Sequence, residues 1–336
     1  MQQVPLINIY EQYRIQQNQV DKIQRSMDDF IKLLKSIPFK QMNLCPLYYQ
    51  YYGSFCNGFG LNTSDVDFTI LTNSYVEESQ LLRDISKILK NDENPRSRFI
   101  VKSEALKARI PNLSIEDKQE KIDIDLSINN LLGVINTKLL YNYSQLHPSI
   151  QQGGVLIKVW AKKWDLIQKN KFSSYALILM WIYFLQQKHN LPNLQDSMYQ
   201  EGLDQESFKL KYKRKVFKSN TQHPETFVVN TFFLDDKQKQ QQLMKNELDN
   251  IQLKDLLIQF WEFYGEYHMN DSIISIHSRL QKKRQHLFQI DDPFDLLHDP
   301  GKRSSELNQE DLDKFKLAAI FLSKNKIELF QNKNDQ

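Results

Sequence analysis

The sequence predicts an α+β protein with two parts, a mixed-sheet domain followed by a mostly helical one. Two observations carry this. The chain has 336 residues, enough for about two domains at roughly 150 residues each. Its texture also changes near residue 131. Before that point short apolar, β-branched and aromatic runs alternate with turn residues, and after it long apolar stretches repeat at helical spacing. Hydrophobic residues make up 40% and charged residues 25%, an ordinary globular balance. A chain of this size buries a core without staples.

The elements follow in order. Val20, Ile23, Met27, Ile31 and Leu34 recur at helical spacing and predict one amphipathic helix over about 9–36. "FTIL" (68–71), "RFIV" (98–101) and "KIDIDLSI" (121–128) read as strands, with a helix near 76–90. "GGVLIKVWAKKWDLI" (153–167) and "SSYALILMWIYFLQQ" (173–187) are the strongest helices, the second opening on the N-cap candidates Ser173 and Ser174. Residues 188–225 are polar, contain Pro192 and Pro224, and predict long loops. "DDKQKQQQ" (235–242) reads as a surface loop or helix start, 253–267 as helix, 272–280 as a short strand, and 309–331 as helix. The expected division is an N-terminal helix (1–36) packing on the helical domain, a sheet domain (37–140) and a helical domain (141–336).

Composition narrows the function classes. Two cysteines, Cys45 and Cys56, imply no disulfide framework and a reducing compartment. The longest apolar run, Ala176 to Leu185, has ten residues, whereas a bilayer span needs about 20. The first residues lack a basic segment followed by an apolar one. These observations predict an intracellular protein, cytoplasmic or nuclear, without a membrane span. The net charge of +3 is compatible with a nucleic-acid partner.

The chemistry concentrates in "YYGSFCNGFGLNTSDVDFTIL" (51–71), which holds three of the nine glycines. It is not a Walker loop, because Phe59 stands where the lysine is required after Gly53 and Gly58. Gly58 and Gly60 begin a dinucleotide fingerprint, but Thr63 ends it. What remains is Gly53–Ser54, a tight turn offering N–H groups and a hydroxyl to phosphate oxygens. Asp65 and Asp67 then flank Val66 at the start of an apolar strand. Alternate strand residues share a face, and two adjacent carboxylates repel unless cations bind between them. Such hard oxygen ligands suit Mg²⁺ or Mn²⁺. "KIDIDLSI" supplies the third carboxylate of a two-ion site, with Asp123 and Asp125 both on one face.

At these residues the chain resembles the DNA polymerase β-like nucleotidyltransferase superfamily. More closely it resembles the noncanonical poly(A) polymerase and terminal uridylyltransferase branch. "GSFCNGFGLNTSDVD" is similar to the superfamily's Gly-Ser…Asp-x-Asp pattern, and "DLSINN" selects Asp125 over Asp123 as the third carboxylate. The resemblance implies ribose contacts from Asn130 and Asn136, and triphosphate contacts from Gly53, Ser54, Lys158, Lys162 and Ser174. It implies base stacking by Tyr175. "QIDDPFDLLHDPGKRSS" (289–305) resembles the poly(A)-polymerase-associated motif, in which His298 takes the place of a uracil-contacting histidine. Asp292 and Asp295 would orient the base or His298. Lys302 and Arg303 would meet phosphates, and the basic stretch 209–218, including Lys213 and Arg214, would grip RNA. The implied activity is template-independent addition of UMP from UTP to RNA 3′ ends, with two Mg²⁺ or Mn²⁺ ions and an active site between the domains. The alternatives are poly(A) polymerase activity with ATP and a catalytically silent scaffold. A compact chain without an RNA-binding module fits a larger RNA-processing or RNA-silencing complex, such as one with an RNA-dependent RNA polymerase. No pattern assigns the insert at 195–245.

Overall fold

A computed structural model of the chain describes residues 5–37, 39, 47–73, 76–90, 98–168, 171–214, 225–244, 248–266, 273–277, 288–295, 298–302 and 307–330. These form two compact units. One contains residues 15–141, and the other contains the first 14 residues together with 142–214 and 226–336.

The first unit is built on a five-stranded mixed sheet. Its strands are β1 (Leu47–Tyr52), β2 (Val66–Thr72), β3 (Phe99–Ala105), β4 (Asn112–Asp117) and β5 (Ile122–Ile128), in the order β1-β2-β5-β4-β3. β2 and β5 run parallel, and the other pairings are antiparallel. In β2 and β5 the core-facing residues Val66, Phe68, Ile70, Ile124 and Leu126 are wholly buried. They share a core with Ile23, Met27, Phe30 and Leu34 of α2 (Gln17–Ser36) and with Leu82 and Ile85 of α3 (Glu78–Lys90). Phe30 sits at the centre, its ring 5.0 Å from Phe99 and 6.4 Å from Phe68.

The second unit is helical. α4 (Leu131–Leu146) leaves the sheet and is followed by α5 (Pro148–Lys163) and α6 (Ser174–Lys188). α6 has a buried residue at every position from Ala176 to Leu185, so its lack of amphipathicity reflects complete enclosure. Gly153 on α5 has no side chain because Trp181 occupies the space: a Cβ there would lie 2.4 Å from the indole ring. Trp181 in turn donates to the carbonyl of Ile150 at 2.8 Å.

Several expectations are corrected. The single N-terminal helix is two helices, α1 (Leu6–Tyr13) and α2, separated by extended backbone at Arg14 and Gln16. α1 belongs to the helical unit, where Tyr10 donates to Gln151 at 3.0 Å. α2 packs on the sheet. Within the insert the described residues form a two-stranded sheet of β6 (Lys209–Arg214) and β7 (Glu225–Asn230), and the helix start read at 235–242 is α7 (Lys237–Leu243), which Asp236 caps. Of the expected strand 272–280, residues 273–277 are described, and among these Ile274 forms an isolated bridge with Ile290. α8 (Leu253–Gly265) and α9 (Gln309–Ser323) complete the helices. Among the described residues, no helix is long and apolar enough to cross a membrane.

One ion cluster closes the edge of the sheet unit. Arg98 grips Asp117 with two hydrogen bonds, of 2.9 and 2.7 Å, and reaches Asp29 at 2.6 Å. Asp117 is fully buried. Burial pushes its carboxyl up, but the Arg98 guanidinium and the N–H groups of Gln119 and Glu120 outweigh this and hold it below the usual range. A carboxylate with a depressed pKa stabilises the fold above its unfolded pKa of about 4, and that contribution is lost as pH falls through the lowered value. Arg98→Ala is therefore expected to cost about 3 kcal/mol at neutral pH. Urea unfolding should show this deficit narrowing below about pH 4, where Asp117 is protonated in the unfolded chain.

Candidate active site

The sheet register assembles the acidic cluster. β2 and β5 are neighbours, and Asp67 lies directly opposite Asp125 in their parallel ladder. Both are half-buried, whereas Asp65 is exposed and precedes the first strand residue, Val66. The expectation that Asp65 and Asp67 both start the strand is thus corrected, because pairing with β1 begins at Tyr52 opposite Asp67. The Asp125 carboxyl is pushed up, first by burial and then by the negative charge of Asp65, while a hydrogen bond from Ser114 opposes the shift. Asp123 is occupied otherwise. Lys102, at the bulge in β3, binds both its carboxylate oxygens at 2.9 Å. This pairing separates Asp123 from Asp125.

Gly53 follows β1 with φ +75°, a conformation that glycine adopts without strain. A Cβ at Gly53 would lie 1.8 Å from Oδ2 of Asp67. The glycine is needed so that the Asp67 carboxylate can lie against the backbone. The sequence reading offered its N–H to phosphate, but here that N–H donates to Thr137 at 2.7 Å. Its carbonyl accepts from the N–H groups of Cys56 and Asn57, and this forms the turn carrying Ser54. Gly58 has φ +84°. Gly60 instead allows close approach, since a Cβ there would lie 2.2 Å from Ile15.

Sequence reasoning did not identify Tyr52. Its hydroxyl hydrogen-bonds to Ser127 at 3.2 Å and to the Asn130 side chain, and its pKa is pushed up to about 12, by burial first and then by Asp67. Asn130 is buried, and its Oδ1 accepts from Gly133 at 3.1 Å, which caps α4. The structure thus gives Asn130 a capping role at the start of α4. Asn136 lies half-buried on α4. No sequence signal links Tyr52 or Thr137 to the acids, because their contacts join distant parts of the chain.

A second constellation forms within the helical unit. Tyr175, in the first turn of α6, donates to Oδ2 of Asp292 at 3.3 Å, and Nδ1 of His298 lies 2.9 Å from the same oxygen. The backbone N–H groups of Phe294 and Asp295 donate to the other Asp292 oxygen, at 3.1 and 3.0 Å. Asp292 and Asp295 are buried, while His298 is partly exposed. Burial raises the Asp292 carboxyl, but His298 and the two N–H groups hold it below the ordinary range. Ser173, not Ser174, caps α6, accepting from Ala176 at 3.0 Å. Lys158 and Lys162 are one turn apart on α5 but differ in environment: Lys158 is 2% exposed and Lys162 is exposed. Lys302 is exposed. Arg303 and the side chains of Lys213 and Arg214 lie outside the described residues.

Asp65, Asp67 and Asp125 are hard oxygen donors, and two of them are adjacent in the ladder, which fits Mg²⁺ or Mn²⁺. Among the described residues, no three acidic, histidine or cysteine side chains close into a finished cage.

Comparison with known proteins agrees with this geometry. Residues 3–145 match the central palm domain of mitochondrial-like poly(A) RNA polymerase. The mouse terminal uridylyltransferase 4 is 29% identical over 272 residues, covering 74% of this chain and 15% of the mouse protein. The poly(A) RNA polymerase GLD2 of Xenopus tropicalis is 31% identical over 137 residues, covering 40% of this chain and 26% of the frog protein. The chain thus spans well under a third of these relatives. A structure of the Cid1 poly(U) polymerase with MgGTP superposes with a TM-score of 0.74 at 20% identity, covering 97% of each chain. The fold is therefore the nucleotidyltransferase fold of Cid1.

Two outcomes test the site. Gly53→Ala forces a Cβ into the Asp67 carboxylate and is expected to lower any nucleotidyl transfer by at least about a hundredfold, measured as single-turnover primer extension. Asp125→Asn removes a carboxylate whose raised pKa marks it as destabilising when ionised. The stability of the ion-free wild type falls as pH rises from the unfolded pKa through the raised folded one. At pH 7 the variant is therefore expected to melt above the wild type in EDTA and to lose the additional stabilisation that Mn²⁺ gives, as read by calorimetry.

Proposed function

We propose that this chain, a nucleotidyltransferase related to terminal uridylyltransferases and GLD2 poly(A) polymerases, adds nucleotides to RNA 3′ ends without a template, using UTP in preference to ATP. The observation that carries the reading is the ladder pairing of Asp67 with Asp125 beside the Gly53–Ser54 turn. It gives the superfamily pattern a physical site. A catalytically silent scaffold is disfavoured, because all three acids are present.

In this reading Asp65, Asp67 and Asp125 would hold two divalent cations, which when bound would supply charge neutralisation at the triphosphate and a lowered pKa for the attacking hydroxyl. Asp125 takes the proton from the RNA 3′-hydroxyl at a carboxylate oxygen. Ser54, Lys158, Lys162 and Ser174 bind the triphosphate and stabilise the charge that develops on the leaving pyrophosphate. Tyr175 stacks on the base and Asn136 meets the ribose. Asp292 fixes Nδ1 of His298 and leaves Nε2 for the base edge, which supports a pyrimidine preference. The alternative, ATP use, is supported by the GLD2 relatives. A place inside the cell belongs to the same proposal. Its cytoplasmic form is supported by the similarity to a cytoplasmic RNA terminal U-transferase structure, with a TM-score of 0.72.

The pure protein is to be incubated with Mg²⁺, labelled single-stranded RNA and each nucleoside triphosphate separately. Extension is expected with UTP above ATP, falling at least about a thousandfold in Asp65→Ala/Asp67→Ala. His298→Ala is expected to move the UTP/ATP ratio of kcat/KM about tenfold toward ATP. An unchanged ratio would remove His298 from base selection. No extension with any nucleotide, in Mg²⁺ or Mn²⁺, would count against catalysis by this chain.

A further inference from the structure

Asp292 and His298 sit on a segment, 288–302, whose two ends are tied together by the neighbour of His298. One carboxylate oxygen of Asp299, Oδ1, accepts from the backbone N–H of Ile290 at 3.0 Å and from that of Gly301 at 2.8 Å. The Gly301 bond is local, since an aspartate readily accepts from the backbone two residues on. The Ile290 bond is not. It spans nine positions and encloses the stretch that carries Asp292, Asp295 and His298. Bonds accepted by a carboxylate are about twice as strong as those between neutral groups.

Both ends are built into the core of the helical unit. Phe288 is fully buried, its ring edge-on to that of Phe172 with centres 5.1 Å apart. Ile290 is buried and bridged to Ile274. Asp291 donates to the carbonyl of Ile274, and Ile274 to that of Gln289, each at 2.9 Å. Gly301 lies directly against this start of the segment, where a Cβ would stand 1.7 Å from the carbonyl oxygen of Phe288. The glycine permits the close approach, and Asp299 bonds across it.

The closure sets where the His298 ring stands. The His298 N–H donates to the carbonyl of Asp295 at 2.8 Å, and Nδ1 lies 2.9 Å from Oδ2 of Asp292. The ring turns about only two side-chain bonds, so its reach depends on the backbone beneath it. A backbone shift of about 1 Å would carry Nδ1 and Oδ2 out of hydrogen-bonding range. Misplacement on that scale costs a reaction up to about a hundredfold.

We infer that Asp299 is a positioning residue for nucleotide choice: by closing the segment it holds the His298 ring on Asp292, and it acts only through that ring. The inference rests on the proposed role of His298 in reading the base. An asparagine at 299 keeps the acceptor oxygen and preserves the closure, whereas an alanine removes it.

The test has one arm that needs no catalysis. The chain has seven histidines, and the ring nitrogen signals of His298 are identified in ¹⁵N NMR spectra of the substrate-free protein by their loss in His298→Ala. In Asp299→Ala they are expected to move to the positions of an unbonded imidazole, and in Asp299→Asn to stay where they are. Should Asp299→Ala fail to fold, Asp299→Ser, whose shorter hydroxyl cannot span both N–H groups, takes its place. Wild-type signals in the folded variant overturn the inference. The second arm reads kcat/KM for UTP and ATP. Asp299→Ala is expected to move the ratio about fivefold or more toward ATP, Asp299→Asn to restore it, and Asp299→Ala/His298→Ala to match His298→Ala alone, as residues acting through one another do. Equal losses with both nucleotides, or additive effects in the double variant, overturn the role in nucleotide choice. If the ring signals move but His298→Ala itself leaves the ratio unchanged, the clasp on His298 stands and the proposed base reading fails.

Discussion

The structure depends on the parallel pairing of β2 with β5. It sets Asp67 beside Asp125, and a one-residue slip would turn one of them to the other face. The register is held from behind, where Val66, Phe68, Ile70, Ile124 and Leu126 are wholly excluded from water. At about 1.5–3 kcal/mol for each large apolar side chain, that buried face exceeds the repulsion between the acids on the opposite face. The remaining pairings aim supporting groups at the same place. β1 brings Tyr52 opposite Asp67 and then Gly53, and β4 brings Ser114 opposite Asp125.

The acid-bearing strands were legible because their chemistry is local. "KIDIDLSI" and "DVDFTIL" alternate at the strand period, and a carboxylate on an otherwise apolar strand is conspicuous. β1 and β4 were not distinguished. β4 reads "NLSIED", where only Leu113 and Ile115 are apolar, and its buried Asp117 is made tolerable by Arg98 from another strand edge. The break between α1 and α2 was also invisible. The chain leaves the helix at Arg14 and Gln16, where Ile15 lies against Gly60, 45 positions later. Contacts at that range leave no periodic trace.

The same limit applied to the site. The sequence named Gly53 but gave the wrong reason, since its N–H serves Thr137 and its missing side chain serves Asp67. It named Asn130, whose amide carbonyl is committed to capping α4. It could not rank Asp123 against Asp125 by spacing alone. The structure separates them through Lys102, which reaches Asp123 from a bulge that no local pattern announces.

Asp125 and Asp292 show how surroundings decide what a carboxylate does. Asp125 has one opposing hydroxyl from Ser114, the charge of Asp65 against it, and a raised pKa. Its ionised form is incompletely satisfied by the protein, which suits it to a cation or a proton. Asp292 is more deeply buried, yet His298 and two backbone N–H groups keep its pKa low, and the Tyr175 hydroxyl also donates to it. A carboxylate so fully bonded has little capacity left for a ligand, so its effect passes through the side chains it holds. Burial alone would have ranked Asp292 as the more perturbed acid. Counting the donors around each accounts for the opposite directions, raised for Asp125 and lowered for Asp292.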